Sequence, residues 1–460
     1  MYHKIPNAFK GMIAVFALFI MPSLSSQEIT GTSDATKHFI ILLTSENDEL
    51  VDNSFSFISN NWNTSYESML IETLYYSLNR DIAPRFLELL QRKTGEDFGF
   101  NIQHWQAWLW NKPPSFNADY FDFKATLHSL IDPKFGVYFS QREELNTIRL
   151  DEVIWGGVKQ DGIPPLRNPK MVGVEQAAYL NDSDIVFGIK VNGDARAYPK
   201  RILAWHEMFI DSVGGIPVAG VYCTLCGTVI IFETNYKGIN HQLGTSGFLY
   251  RSNKLMYDKE TQSLWSTMEG EPVIGPLTGK GIRLNYRSVV TTSWGEWKER
   301  HPNTKVLSVD TGFLRDYSEG AAYRDYFATD ELMFQVPEKD NRLKNKDEIL
   351  AIRLPGITNK SLAIASKFLK GRPVYSSNLA GVPFTVFTDR SGAHRVYNTN
   401  GYNFKEYDGI QTVVDHKGER WELQENQLIS NSGDKLTRIP THNAFWFGYR
   451  AAFPDTELIK

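Results

Sequence analysis

Cysteine occurs only at Cys223 and Cys226 in the 460 residues, so the spacing Cys-x-x-Cys-Gly confines sulfur chemistry to one place. Two sulfurs so spaced can share a metal ion or cycle between dithiol and disulfide. Thioredoxin-type pairs put the first cysteine at a helix N-terminus, where backbone N–H groups stabilise a thiolate. Here residues 218–222 and 228–232 are apolar and rich in β-branched side chains, which predicts a tight turn between two strands. On such a knuckle both sulfurs reach one point, and Gly227 supplies a positive φ that other residues resist.

One knuckle provides two ligands, whereas a closed structural zinc site needs four. With no second cysteine pair, the remaining ligands must be nitrogen or oxygen, or the site must be open. His206 is the first candidate, because it lies on the predicted helix that feeds the knuckle strand, and Glu207 is beside it. Two thiolates and an imidazole suit zinc or copper; an open zinc would activate water with Glu207 as the base. The plainer reading of His206 is a partly buried helix residue bonded to backbone. Without metal, the pair supports thiol–disulfide exchange, with Cys223 attacking and Cys226 resolving. A third reading is a noncatalytic binding or assembly protein carrying a small disulfide. Closing so short a loop removes little chain entropy, so a scaffolding role is the weaker explanation.

Residues 244–265 are dense in Gly, Ser, Asn, Tyr and Asp, which predicts polar loops shaping a pocket above the knuckle. Ser246, Tyr257, Asp258 and Trp265 are the candidates for binding a cofactor or ligand there. The plainer reading is an elaborate β-turn region. Ser246 lies in Gly-Thr-Ser-Gly rather than a Gly-x-Ser-x-Gly elbow, which argues against a serine hydrolase. Phosphate-binding glycine loops, His-Glu-x-x-His helices and calcium loops do not occur.

The elements around the knuckle fall into parts. Lys4 and Lys10, an apolar run over 12–21 and the small residues Ser23, Ser25 and Ser26 have the layout of a secretory signal peptide over 1–26. That run is too short for a membrane span and no later one is long enough, so a soluble, exported protein of the periplasm or exterior is expected. No cysteine near the cleavage site offers a lipid anchor. A net charge of −4 with mixed signs points to neither nucleic acid nor an anionic membrane. Helical spacing over 66–78, 82–90 and 103–110 predicts an α-solenoid-like domain within 27–150, a candidate protein-binding surface. From 151 the texture becomes β-like: Asn192-Gly193 predicts a hairpin, and Pro199 opens a predicted helix that runs to Gly214-Gly215.

The β-rich part repeats itself. Residues 349–354 with Pro355-Gly356 echo 186–191 with Asn192-Gly193, and Ala380-Gly381-Val382-Pro383 echo Gly214-Gly215-Ile216-Pro217. Trp294, Trp297, Pro302, Thr304 and Leu307 match Trp446, Tyr449, Pro454, Thr456 and Ile459 in spacing. The fold class expected is therefore α+β: a helical segment, then two related β-rich modules over 151–315 and 345–460 joined by a linker over 316–344. The second module has no cysteines and no histidine at the corresponding places, so it is read as degenerate.

The first module closely resembles the bacterial and archaeal family catalogued as domain of unknown function 3179. The resemblance rests on Asp161-Gly-Ile-Pro-Pro, Ala197-Tyr198-Pro199, Trp205-His206-Glu207, Gly215-Ile-Pro-Val, Tyr222-Cys-Thr-Leu-Cys-Gly, Ser246-Gly247, Leu255-Met-Tyr-Asp258, Ser263-Leu-Trp265, Trp294-Gly-Glu-Trp297, His301-Pro302 and Asp310-Thr-Gly312. It covers about 152 to the C-terminus and implies a HEAT-like segment ahead of the domain, as in some members. It departs at Thr224, where the family often has proline, and at Arg251-Ser252, where it often has Asn-Ser. It implies a domain but no established activity.

Overall fold

The computed structural model describes residues 32–77, 81–139, 145–357 and 360–460. The signal-peptide segment 1–26 and Leu78 of the first helical pattern lie outside the described residues. The protein is mixed α+β: helices form the N-terminal part and β-sheets most of the rest. Among the described residues no helix is long and apolar enough to cross a membrane.

The predicted helical segments form the helices Ser65–Tyr76, Ala83–Thr94 and Ile102–Trp110. Pro84 lies in the first turn of the second, where its missing N–H costs nothing, and Gly95 ends that helix at φ +81°. Phe135, Tyr138 and Phe139 from the last N-terminal helix, Pro133–Phe139, surround Phe248 of strand Leu243–Tyr250. The helical part thus shares one core with the five-stranded sheet that contains Leu243–Tyr250 and Asn253–Asp258.

Asn192-Gly193 forms the predicted hairpin between Ile185–Val191 and Asp194–Pro199, with both turn residues at positive φ. The following helix is shorter than expected. It stops at His206 because Glu207 enters the left-handed region at φ +55°, and Met208–Val213 continues as a strand. Gly214 and Gly215, both at positive φ, turn that strand into Ile216–Cys223 instead of capping a helix. Residues 244–265 also differ from the expected loops. They hold two long strands, Leu243–Tyr250 and Asn253–Asp258, joined by a tight turn with Arg251 at φ +49° and Ser252 at φ +64°.

Two sheets share one topology. In the first, Val290–Ser293, Ile185–Val191, Asp194–Pro199 and Lys305–Leu307 are neighbours in that order. In the other, the order is Thr441–Phe445, Glu348–Arg353, Ser361–Ala365 and Glu457–Ile459. Both have two antiparallel pairings followed by a parallel one, and in both a helix, Trp294–Arg300 or Trp446–Ala452, precedes the last strand. The C-terminal part adds an eight-stranded sheet whose edge strands, Val374–Leu379 and Phe404–Tyr407, approach each other to make a near-barrel around Phe387, Tyr397 and Trp421. Residues 316–344, expected as a linker, carry Tyr326 and Val336 into a core cluster with both cysteines and Phe445.

Of the buried histidines, three are held neutral most strongly. Burial lowers His128 and His442 to a pKa of about 3 and His394 to about 4. Below the ordinary value near 6.5 the unfolded chain takes up protons that these folded sites refuse, so stability falls as pH drops. Each site contributes a slope of up to about 1.4 kcal/mol per pH unit between about pH 6 and pH 4. Urea unfolding at pH 7 and pH 5 checks this: the loss of stability should shrink in His442→Gln, and an unchanged loss would remove His442 from the account.

Candidate functional site

The knuckle is built as its sequence suggests. Strands Ile216–Cys223 and Thr228–Glu233 pair antiparallel up to Cys223 opposite Thr228, and Gly227 makes the turn at φ +58°. A Cβ on Gly227 would lie 2.9 Å from the Phe445 ring, so close packing as well as φ requires glycine there. Cys223 and Cys226 are joined as a disulfide, with Cα atoms 5.5 Å apart. Two of the turn's carbonyls are tied to its surroundings: Cys226 accepts from the Phe445 N–H at 2.8 Å and from Thr228 Oγ1 at 3.0 Å, and Leu225 accepts from the Tyr326 hydroxyl at 2.6 Å. Cys223 is 2 % exposed and Cys226 fully buried. Helix Trp446–Ala452 comes so close that a Cβ on Gly448 would sit 2.6 Å from the Cys226 Cβ.

Glu207 links this knuckle to its surroundings. Its N–H donates to the Leu203 carbonyl at 2.6 Å and closes the helix, while its own carbonyl accepts from Tyr222, next to Cys223, at 2.8 Å. Helix-ending left-handed positions favour glycine. A glutamate there implies that the side chain repays the backbone strain. Its carboxylate is buried and fully engaged: Oε1 accepts from Thr224 at 2.7 Å and from Tyr323 at 3.1 Å, and Oε2 is ion-paired with the buried Lys254. Burial lowers the Lys254 pKa, and the Glu207 charge works against that shift. Both residues line a mostly apolar cavity of about 50 Å³, whose walls include Val158, Ile163, Leu225, Leu249 and Met333. This exceeds the roughly 10–15 Å³ needed to admit one water.

His206 points elsewhere. Its Nδ1 lies 2.9 Å from the Pro164 carbonyl and its Nε2 2.6 Å from the Tyr317 hydroxyl, so both ring nitrogens have partners away from the sulfurs. The carbonyl fixes the tautomer with hydrogen on Nδ1, leaving Nε2 to accept from Tyr317. Among the described residues no group of three or more His, Cys, Asp or Glu is placed to hold a metal ion. The expected set of Cys223, Cys226 and His206 is therefore not assembled: the sulfurs bond each other, and the plainer reading of His206 accounts for its contacts.

The candidates in 244–265 serve the hairpin. Ser246 Oγ donates to the Leu255 carbonyl at 2.6 Å across the register irregularity in its sheet, and Tyr257 donates to Asp161 at 2.6 Å. Asp258 Oδ1 accepts from the N–H groups of Glu260 and Thr261, while Trp265 is fully buried beside His241. None of these four lines the cavity; Thr245, Gly247 and Phe248 do. A family model described as a protein of unknown function, DUF3179, matches residues 160–456. The chain belongs to the DUF3179 family. No curated protein and no solved structure matches it. The DUF3179 match spans the first of the two sheets, the knuckle, the segment that covers it and all but the last strand of the second sheet. Sequence reasoning missed two DUF3179-domain residues of the site, Lys254 and Tyr323. Lys254 stood in a run read as polar loop, and Tyr323 in a presumed linker; a lysine flanked by Asn253 and Leu255 in an otherwise buried strand was the available signal.

Lys254→Met leaves Glu207 as a buried charge without its counter-ion and should cost about 3–5 kcal/mol of stability. Combining it with Glu207→Gln should recover a large part, because the pair is coupled. Urea unfolding of both single variants and the double variant measures that coupling; effects that add within about 0.5 kcal/mol would mean the two side chains do not act together.

Proposed function

We propose that the protein is an extracytoplasmic thiol–disulfide protein whose working pair is Cys223 and Cys226. One observation carries this reading: counted along the chain from the hairpin and short helix of each β-rich part, the counterpart of the knuckle turn is a turn that folds without cysteines. That turn joins Val382–Thr388 to His394–Asn398 and is tied by Asp389, whose Oδ1 accepts from Ser391 N–H at 3.0 Å, Ser391 Oγ at 2.7 Å and Ala393 N–H at 3.0 Å. A carboxylate does there what a covalent bond would do, so the fold has no need of sulfur at this corner. A four-residue disulfide loop stabilises by only about 2 kcal/mol in the chain-entropy account. Stability alone is a poor reason for the pair.

The two β-rich modules, over 151–315 and 345–460, are in this reading diverged copies. The second lacks the cysteines and walls the site of the first. Export behind a signal peptide over 1–26 supplies the oxidising surroundings in which a disulfide forms. The helical segment over 27–150 is a HEAT-like platform for a protein partner. In the reducing direction Cys223 thiolate attacks a substrate disulfide, one substrate sulfur leaves as a thiol, and Cys226 displaces the other. The chain ends as the Cys223–Cys226 disulfide, and two electrons have passed to the substrate. Thr224, bonded to Glu207, fixes the backbone between the two cysteines.

Equilibration in glutathione buffers, read by thiol counting and with metal analysis alongside, tests the assignment. A reversible two-electron couple in the range of redox proteins, with Cys223→Ser and Cys226→Ser folded within about 2 kcal/mol of the parent, is expected. A disulfide that resists reduction would overturn it. Stoichiometric zinc or copper on the reduced pair, lost in His206→Ala, would replace it with the metal reading.

A further inference from the structure

The cavity beside the knuckle holds a group that thiol chemistry does not use. Lys254 is 7 % exposed, lines the cavity, and has no acceptor besides Glu207 among the described residues. An ammonium carries three N–H donors, so one carboxylate contact leaves donors to spare. Groups left this way in a polar corner of an otherwise apolar space call for a ligand or water. A second anion would sit against Glu207, whereas a neutral carbonyl oxygen accepts from Lys254 without that repulsion. Val158, Ile163, Leu225 and Leu249 suit short apolar substituents on the carbonyl carbon. A volume of about 50 Å³ limits the guest to a few heavy atoms.

We propose that Lys254 is an imine-forming lysine and that this cavity takes a small neutral aldehyde or ketone. Glu207 Oε2 faces the ammonium and removes its proton, while Thr224 and Tyr323 hold Oε1 and so fix the carboxylate's direction. The free amine adds to the carbonyl carbon: the C–N bond forms, the C=O π pair moves to oxygen, and a proton passes from nitrogen to that oxygen through Glu207. The nitrogen lone pair then expels the hydroxyl, which takes the proton held by Glu207 and leaves as water. The protonated imine keeps one N–H, and the sum is ammonium plus carbonyl giving iminium plus water. Burial, which lowers the Lys254 pKa, helps supply the neutral amine. The proposal goes beyond the thiol–disulfide reading and does not depend on it.

The full chain is incubated with propionaldehyde or acetone and sodium cyanoborohydride at pH 7, and the reduced adducts are mapped by peptide mass spectrometry. A lysine this buried is protected from general amine labelling, so the site of reaction is diagnostic. The expected result is preferential alkylation of Lys254 ahead of the exposed lysines, unchanged in Cys223→Ser/Cys226→Ser and at least tenfold slower in Glu207→Gln. Lys254→Arg keeps the charge and should remove that adduct alone. Adducts spread over exposed lysines with Lys254 unmodified in the parent protein would overturn the proposal, and this arm does not depend on any variant folding. Equal labelling rates for Glu207→Gln and the parent would overturn the role given to Glu207.

Discussion

The buried carboxylate of Glu207 is the constraint on which the site depends. A carboxylate removed from water costs several kcal/mol unless charges and donors replace the lost hydration. Here the replacements come from three separate places: Thr224 in the knuckle, Lys254 in the long hairpin and Tyr323 in the segment 316–344. Each must arrive for the charge to be tolerated, so this one group fixes the relative positions of three parts of the chain. The backbone contributes as well. The left-handed turn at Glu207 ends the helix, aims the carboxylate inward and sends Met208–Val213 off as the partner of the knuckle strand.

A second layer follows from the first. Tyr323 is anchored on Glu207, and three residues further on Tyr326 reaches the Leu225 carbonyl. The segment is thereby laid across the disulfide, where Val336 and Phe334 join its apolar cluster. From the other side, Phe445 and Gly448 close over Cys226 with no space for another carbon. The second β-rich part has no cysteine and supplies a wall of the knuckle. Its own corner, held by Asp389, extends into a buried network in which Arg395 bridges Asp389 and Glu425, with His301 of the first part 3.5 Å from Glu425. The contacts that bind the two halves are thus charged where they flank the near-barrel and apolar where they flank the disulfide.

Local chemistry was the legible part of the sequence. The knuckle, the Asn192-Gly193 hairpin and the helix starts all follow from residue types at fixed short spacing. The helix from Lys200 was overrun because one unfavourable φ, at Glu207, cannot be seen in a string of residues otherwise compatible with helix. Residues 244–265 were read as loops because polar side chains in a strand buried on both faces look like turn composition; Thr245, Ser246 and Lys254 are polar because they meet other polar groups inside. Tyr323 and Lys254 reach Glu207 from far along the chain, and only the folded sheets bring them together. His206 was singled out because its helix feeds the knuckle strand, whereas its ring nitrogens meet Pro164 and Tyr317.

Burial decides what kind of molecule can react here. With the sulfurs almost fully enclosed and the cavity limited to about 50 Å³, a folded protein cannot present a thiol or a side chain to either group in the arrangement described. A small co-reactant meets no such limit, and movement of residues 323–336 would widen the opening, since Tyr323, Met333 and Phe334 form part of the cavity wall. That segment is held across the knuckle mainly by side-chain contacts to carbonyls and to Glu207, not by a strand ladder. Elements secured in this way open at lower free energy than paired strands do. The state of the disulfide bears directly on the same contacts, because Tyr326 hangs on the carbonyl between the two cysteines. The disulfide loop and the cavity wall therefore meet at Leu225, the residue that belongs to both.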